Sequence, residues 1–241
     1  MSPPILSVAD LEVEFGSRVI LRSLTLEITS GQCVAIIGPN GSGKTVFLKA
    51  MLGLVPYSGE IRWDAGARLG YVPQKIAADL HLPLTCRDLL EAKARYLKRP
   101  GVEIEAVARE AELTAELLDT NLGYLSGGQF QKALIAFALL GQPNVLLFDE
   151  PTASLDELSE ERVYELLHSL QEQSGMTLVL VSHDLSVVYR YADMVLCLSK
   201  GQPCMGPPKE ILTPAMLEEL YAAPSRYYRH QEHAEDVPKR R

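Results

Sequence analysis

The sequence has no apolar run long enough to cross a bilayer. Its longest wholly apolar stretch near the middle, Ala133 to Leu140, falls far short of the roughly 20 residues that a spanning helix needs. The chain is therefore expected not to span a membrane by itself. It begins MSPPILSVAD, without a basic segment leading into an apolar one, so no secretory signal is expected and the chain is read as staying in the cytosol. Cysteine is scarce. Cys33, Cys86, Cys197 and Cys204 contain no CxxC pair, which excludes a disulfide framework and a zinc knuckle and leaves reduced, mostly structural thiols. Positive charge is in deficit as well: a formal net charge of -8 gives no footprint for a nucleic-acid backbone, so no nucleic acid is expected as partner. Internal repeats and sustained heptads are absent too, which excludes a long coiled-coil insertion.

What is present suits one globular domain with an inserted lobe. Leu6 to Phe15 and Leu24 to Ile28 alternate apolar and polar residues, as half-buried paired strands do. CVAII, from Cys33, is a continuous apolar run of the kind found in strands covered on both faces, and it leads through a glycine-rich turn into VFLKAML. Two further runs, Val145 to Phe148 and Thr177 to Ser182, read as buried strands separated by a helix over Leu158 to Gln173. Strands alternating with helices imply an α/β fold with a parallel sheet. Between Gln74 and Leu125, RDLLEAKARYLKR and VEIEAVAREAEL have helical spacing broken at Pro100-Gly101, which implies an inserted helical lobe. Beyond Leu220 periodicity is lost and charge rises, as in a loose polar tail.

The chemistry concentrates in a few places. GPNGSGKT comprises Gly38, Pro39, Asn40, Gly41, Ser42, Gly43, Lys44 and Thr45, and satisfies G-x-x-x-x-G-K-[ST] between an expected strand and helix. In that context the backbone N–H groups cradle phosphates, Lys44 reaches the terminal ones, and the Thr45 hydroxyl ligates Mg²⁺. The bland alternative is a flexible Gly-Ser turn. VLLFDE ends a buried strand with two carboxylates where open α/β sheets hold ligands: Asp149 suits Mg²⁺ and Glu150 suits polarising a water, against the alternative of a solvated strand end. His183 follows another buried strand in VSHD, placed to touch a γ-phosphate or to serve as an ordinary hydrogen-bonded residue.

LSGGQ, Leu125 to Gln129, is a second glycine-rich helix start. Ser126 suits an N-cap there. Taken with GPNGSGKT, Gln74 in YVPQ, VLLFDEP, SLD at Ser154 to Asp156 and His183, it resembles the ATP-binding subunits of ABC transporters from about Leu6 to Leu220. The resemblance implies a RecA-like parallel-sheet core, an N-terminal antiparallel β subdomain, a helical subdomain at about 75–138, an ATPase domain over 1–223 and a tail over 224–241. It implies ATP and Mg²⁺ as cofactors, and two ATPs sandwiched in a head-to-tail homodimer. Ser126, Gly127, Gly128 and Gln129 of one subunit would then serve ATP on its partner. It further implies Gln74 near Mg²⁺ and the attacking water, Glu150 as the base, Asp156 in communication across the dimer, and Phe15 stacking on adenine. On residue pattern alone, Phe15 is instead expected to be an ordinary core phenylalanine, and Asp156 a helix-entry carboxylate.

The implied partner is an integral-membrane permease, which places the chain peripherally on the cytoplasmic face of the membrane. The segments Lys75 to Leu90 and HDLSVVYRYADMVLCLSKGQPCMGPPKEILTP resemble zinc and manganese uptake ATPases, which adds an extracytoplasmic metal-binding protein to the expected system. Iron-chelate importers and non-transport assembly ATPases are the alternatives. A switch or kinase using the phosphate loop alone would leave LSGGQ and His183 unexplained. His230 and His233 in the tail form at best a partial metal site. Three departures from the family pattern stand out: Val46 after GKT, and Phe130 and Phe137 after LSGGQ, with Lys132 standing in for an arginine.

Overall fold

The alternating N-terminal residues form β1 (Pro4–Phe15) and β2 (Arg18–Thr29), paired antiparallel. This is a computed structural model, and it describes residues 3–74, 83–98, 104–150, 156–199 and 203–221. The chain continues through β3 (Cys33–Ile37), α1 (Lys44–Met51), β4 (Ser58–Trp63) and β5 (Leu69–Val72). The helical segment carries α2 (Cys86–Tyr96), α3 (Ile104–Glu110), α4 (Ala115–Leu118) and, after a 3₁₀ turn at Leu122–Tyr124, α5 (Gly127–Leu139). β6 (Val145–Asp149), α6 (Glu157–Ser174), β7 (Thr177–Val181), α7 (Leu185–Tyr191), β8 (Met194–Cys197), β9 (Cys204–Gly206), α8 (Pro208–Ile211) and α9 (Pro214–Tyr221) complete it. The helix break at Pro100-Gly101, the Ser154 part of SLD and the histidine-bearing tail lie outside the described residues.

Two sheets result. One has the order β2-β1-β4; the other has the order β5-β6-β7-β3-β8-β9, parallel from β5 to β8 with β9 antiparallel at the edge. β3, β6 and β7 are buried along their whole length, as their unbroken apolar runs require. Alternate side chains of β3 enter opposite cores. Val34 and Ile36 share a core with β1, β2 and α1 that includes Leu6, Val8, Leu24, Leu26, Phe47 and Leu48. Cys33, Ala35 and Ile37 join the core built on α5 and α6. Each fully buried side chain of this kind contributes about 1.5–3 kcal/mol, so the parallel sheet is a rigid platform between two apolar layers.

Within the helical segment, the start of α2 is joined by backbone bonds to the turn that precedes α5. The Leu122 N–H donates to the Leu84 carbonyl at 2.9 Å, the Cys86 N–H donates to the Thr120 carbonyl at 3.1 Å, and Thr85 bridges Asn121. Thr85 also caps α2 in a reciprocal box with Asp88. Phe137, the departure that the sequence leaves unexplained, is covered by α2: the Lys93 ammonium sits 4.1 Å from its ring centroid and donates to its carbonyl. Lys132 pairs with Glu112, and Phe130 packs against the helical core. The cysteines are free, but two of them are not scattered in space, because Cys197 and Cys204 face each other across β8 and β9.

Candidate functional site

The order β5-β6-β7-β3 sets four parallel strands side by side, and each ends in a residue singled out by sequence. β3 runs into Gly38–Thr45, β6 ends at Asp149-Glu150, β7 is followed by Ser182 and His183, and β5 by Gln74 two residues past its end. The carboxyl ends of adjacent parallel strands form one crevice, so the fold gathers groups that are more than 140 residues apart in the chain.

The loop after β3 is built around close approach. A Cβ on Gly38 would lie 2.1 Å from the Leu198 carbonyl oxygen, so no other residue fits there. Gly43, at φ 102°, is the N-cap of α1 and supplies no side-chain cap. The first bond of α1 is from the Phe47 N–H to the Gly43 carbonyl at 2.8 Å, which leaves the earlier N–H groups without helical partners, that of Ser42 donating to the Pro39 carbonyl at 3.1 Å. The Ser42 hydroxyl is buried and unpartnered. This concave set of free donors fits a polyphosphate. Lys44 is 7 % exposed; its ammonium donates to the carbonyls of Gly38 at 2.9 Å and Pro39 at 3.4 Å, and lies 3.4 Å from Glu150 Oε1.

Across the crevice, the Thr45 hydroxyl donates to Asp149 Oδ1 at 2.9 Å, and the Tyr71 hydroxyl donates to Oδ2 at 3.3 Å. A hydroxyl beside a buried carboxylate is a hard-oxygen donor set that fits Mg²⁺. Gln74 Nε2 donates to Glu150 Oε2 at 3.0 Å. Glu150 holds φ at 37°, a left-handed conformation that is strained for a residue with a Cβ. That strain turns its carboxylate out of the strand line, between Lys44 and Gln74. Burial pushes the Asp149 carboxyl above the usual range, against the opposing bonds from Thr45 and Tyr71, and the charge of Glu150 adds to the rise. The Tyr71 hydroxyl is pushed up to about 12, first by burial and then by Asp149, so it remains a donor.

The raised Asp149 value carries a stability consequence. A carboxyl whose native pKa exceeds its unfolded one penalises the fold once pH rises above the unfolded value, and the penalty grows until pH passes the native value. Asp149→Asn is therefore expected to gain thermal stability relative to the unsubstituted, nucleotide-free chain as pH rises from acid toward neutral. Scanning fluorimetry from pH 4 to pH 8 checks it, and the advantage of the variant should shrink toward acid.

His183 is exposed on a turn fixed by Ser182, whose hydroxyl accepts from the Asp184 N–H at 3.1 Å, while Asp184 caps α7. Phe15 corrects the residue-pattern expectation of a core ring: it is 46 % exposed at the β1–β2 turn. β2 nevertheless abuts the loop, since a Cβ on Gly43 would meet Leu21 at 2.7 Å. Asp156 accepts from the Ser159 N–H at 2.9 Å and caps α6, the helix-entry role. Ser126 caps α5 in a reciprocal box with Gln129, whose side-chain oxygen takes the Ser126 N–H at 2.8 Å. Gly127 and Gly128, the first two residues of α5, keep N–H groups that no helical carbonyl takes up. Among the described residues no hydrogen bond joins Ser126–Gln129 to Gly38–Thr45. Val46, lacking a hydroxyl, packs against the apolar layer beneath α1. Tyr71 was missed by sequence reasoning; its one signal is its place three residues before Gln74.

A phosphate-binding loop, an acidic pair, a glutamine and a histidine at neighbouring strand ends define a P-loop nucleotide-binding protein. The pattern of the ABC transporter family matches residues 21–153. The chain is 36 % identical over 236 residues to the zinc import ATP-binding protein ZnuC of Ruegeria pomeroyi, covering 96 % of this chain and 91 % of that one. It is 38 % identical over 218 residues to ZnuC of Yersinia pseudotuberculosis, covering 88 % and 83 %. Among solved structures, cbiO1 of Clostridium perfringens, part of the ABC transporter complex cbiONQ, superposes with a TM-score of 0.77 at 26 % identity over 90 % of this chain and 93 % of that one. The chain belongs to the ABC transporter family. It is an ATP-binding subunit whose ATP hydrolysis is coupled to transport.

Proposed function

We propose that this chain powers uptake of a divalent metal, zinc foremost, as a homodimer docked on a membrane permease at the cytoplasmic face, supplied by an extracytoplasmic metal-binding protein. The observation that carries this reading is a P-loop, an acidic pair, a glutamine and a histidine gathered at adjacent strand ends in a chain 36–38 % identical to zinc import ATP-binding proteins over most of its length. Among the described residues no helix is long and apolar enough to cross a membrane, so the cargo path belongs to another subunit.

In this reading Gly38 to Thr45 hold the phosphates of ATP, and Lys44 exchanges its carbonyl and Glu150 contacts for phosphate oxygens. That exchange frees Glu150 to take the proton of the attacking water, which Gln74 orients. Thr45, Asp149 and Gln74 would hold Mg²⁺, which would neutralise phosphate charge. His183 meets the γ-phosphate, and Phe15, exposed at the β1–β2 turn, stacks on adenine. Ser126 to Gln129 direct the start of α5 at the partner's ATP, and Asp156 lies at the same interface.

The test is elemental mass spectrometry of zinc, manganese and iron in metal-limited cells whose only copy carries Glu150→Gln. A selective fall in zinc is expected. Unchanged metals with the variant stably expressed would overturn metal uptake and favour another cargo.

A further inference from the structure

Tyr71 opens the YVPQ stretch in which only Gln74 was given a role, yet it makes a direct contact with the carboxylate at the end of β6. β5 and β6 pair in parallel with Tyr71 opposite Leu147. Side chains two apart on a strand share a face, so Leu147 and Asp149 point the same way, and a long aromatic side chain can cross the diagonal from Tyr71 to Asp149. The hydroxyl completes that diagonal at 3.3 Å from Oδ2, while Thr45 holds Oδ1 at 2.9 Å. The terminal torsion of an aspartate is broad, so a single bond from Thr45 would leave the carboxylate free to turn. Two bonds on opposite oxygens fix its plane. The same strand then continues to Gln74, which touches Glu150.

We propose that Tyr71 is a positioning residue that locks the Asp149 carboxylate for the divalent cation accompanying ATP and so sets the affinity for that cation. The proposal rests on reading Thr45 and Asp149 as holders of Mg²⁺. A group that orients a metal-binding carboxylate typically accounts for 10–100-fold in metal affinity. Phenylalanine keeps the ring, partly buried against the apolar core beneath α1, and removes only the bond.

The experiment uses the full chain carrying Glu150→Gln to suppress turnover, with retained radiolabelled ATP measured against Mn²⁺ concentration and with the Mn²⁺ resonance spectrum of the complex. Tyr71→Phe is expected to raise the half-saturating Mn²⁺ about tenfold and to alter the spectrum. Metal-free ATP binding, which also reports folding, should not change. Asp149→Asn is the reference. If Asp149→Asn keeps the starting Mn²⁺ dependence, the metal reading of Thr45 and Asp149 fails and takes the proposal with it. If Asp149→Asn loses that dependence while Tyr71→Phe leaves half-saturation and spectrum unchanged, the role of Tyr71 alone is overturned. An equal loss of metal-free ATP binding in Tyr71→Phe would also overturn it, because it would show a general packing role.

Discussion

Glu150→Gln is expected to lower steady-state ATP hydrolysis by at least about 100-fold while ATP binding persists, and to trap an ATP-bound dimer. The substitution keeps the shape of the side chain and removes its charge and basicity. An amide oxygen can still accept the Gln74 N–H that Glu150 now takes at 3.0 Å. Loss of the 3.4 Å pairing with Lys44 leaves that ammonium its two loop carbonyls, so the phosphate site stays assembled. What disappears is the group able to take a proton from water at the end of β6. Backbone strain at φ 37° marks the same residue as one whose direction matters more than local comfort. Single-turnover and steady-state hydrolysis, with size-exclusion chromatography of the ATP-loaded chain, separate the possibilities. Near-normal turnover would remove Glu150 as the base; loss of ATP binding would instead make its main task the support of Lys44.

How much of this was legible in sequence depended on the range of the contact. β3, β6 and β7 stand out because both faces are covered and every position is apolar. β4 gave no such signal, since most of its residues are exposed and its apolar positions are few. The motif residues were legible because each follows a strand or starts a helix, a local property. Their contacts were not. The bond from Gln74 to Glu150 spans 76 positions and that from Tyr71 to Asp149 spans 78, and both depend on the register of β5 against β6. Phe137 resisted explanation for the same reason, its covering ammonium coming from Lys93 on another helix. Phe15 misled because a phenylalanine in an alternating strand reads as core, whereas this one occupies the last position before the turn, beyond the covered part of the sheet.

Ser126→Arg and Lys44→Ala are each expected to abolish ATP trapping in homodimers, and mixing the two chains is expected to restore it. Lys44 is nearly buried among loop carbonyls beside Glu150, where only a ligand entering the same loop can reach it. Ser126 is exposed at the start of a different helix, its hydroxyl and its N–H already bonded to Gln129, followed by Gly127 and Gly128, whose N–H groups no helical carbonyl takes up. A capped, glycine-rich start with unused donors suits a phosphate that arrives from elsewhere. If the two half-sites meet only between subunits, a mixed dimer combines both lesions in one site and leaves the other wholly intact. Homodimers carry one lesion in each site. Radiolabelled nucleotide trapped as ADP with vanadate should therefore be close to zero per homodimer and approach one per mixed dimer, or about one half averaged over an equimolar mixture in which half the dimers are mixed. Were the half-sites to join within one chain, every chain in the mixture would still carry a lesion and nothing would be trapped. An untrapped mixture would thus overturn the shared site, and with it the reading of LSGGQ as a contact for the partner's nucleotide.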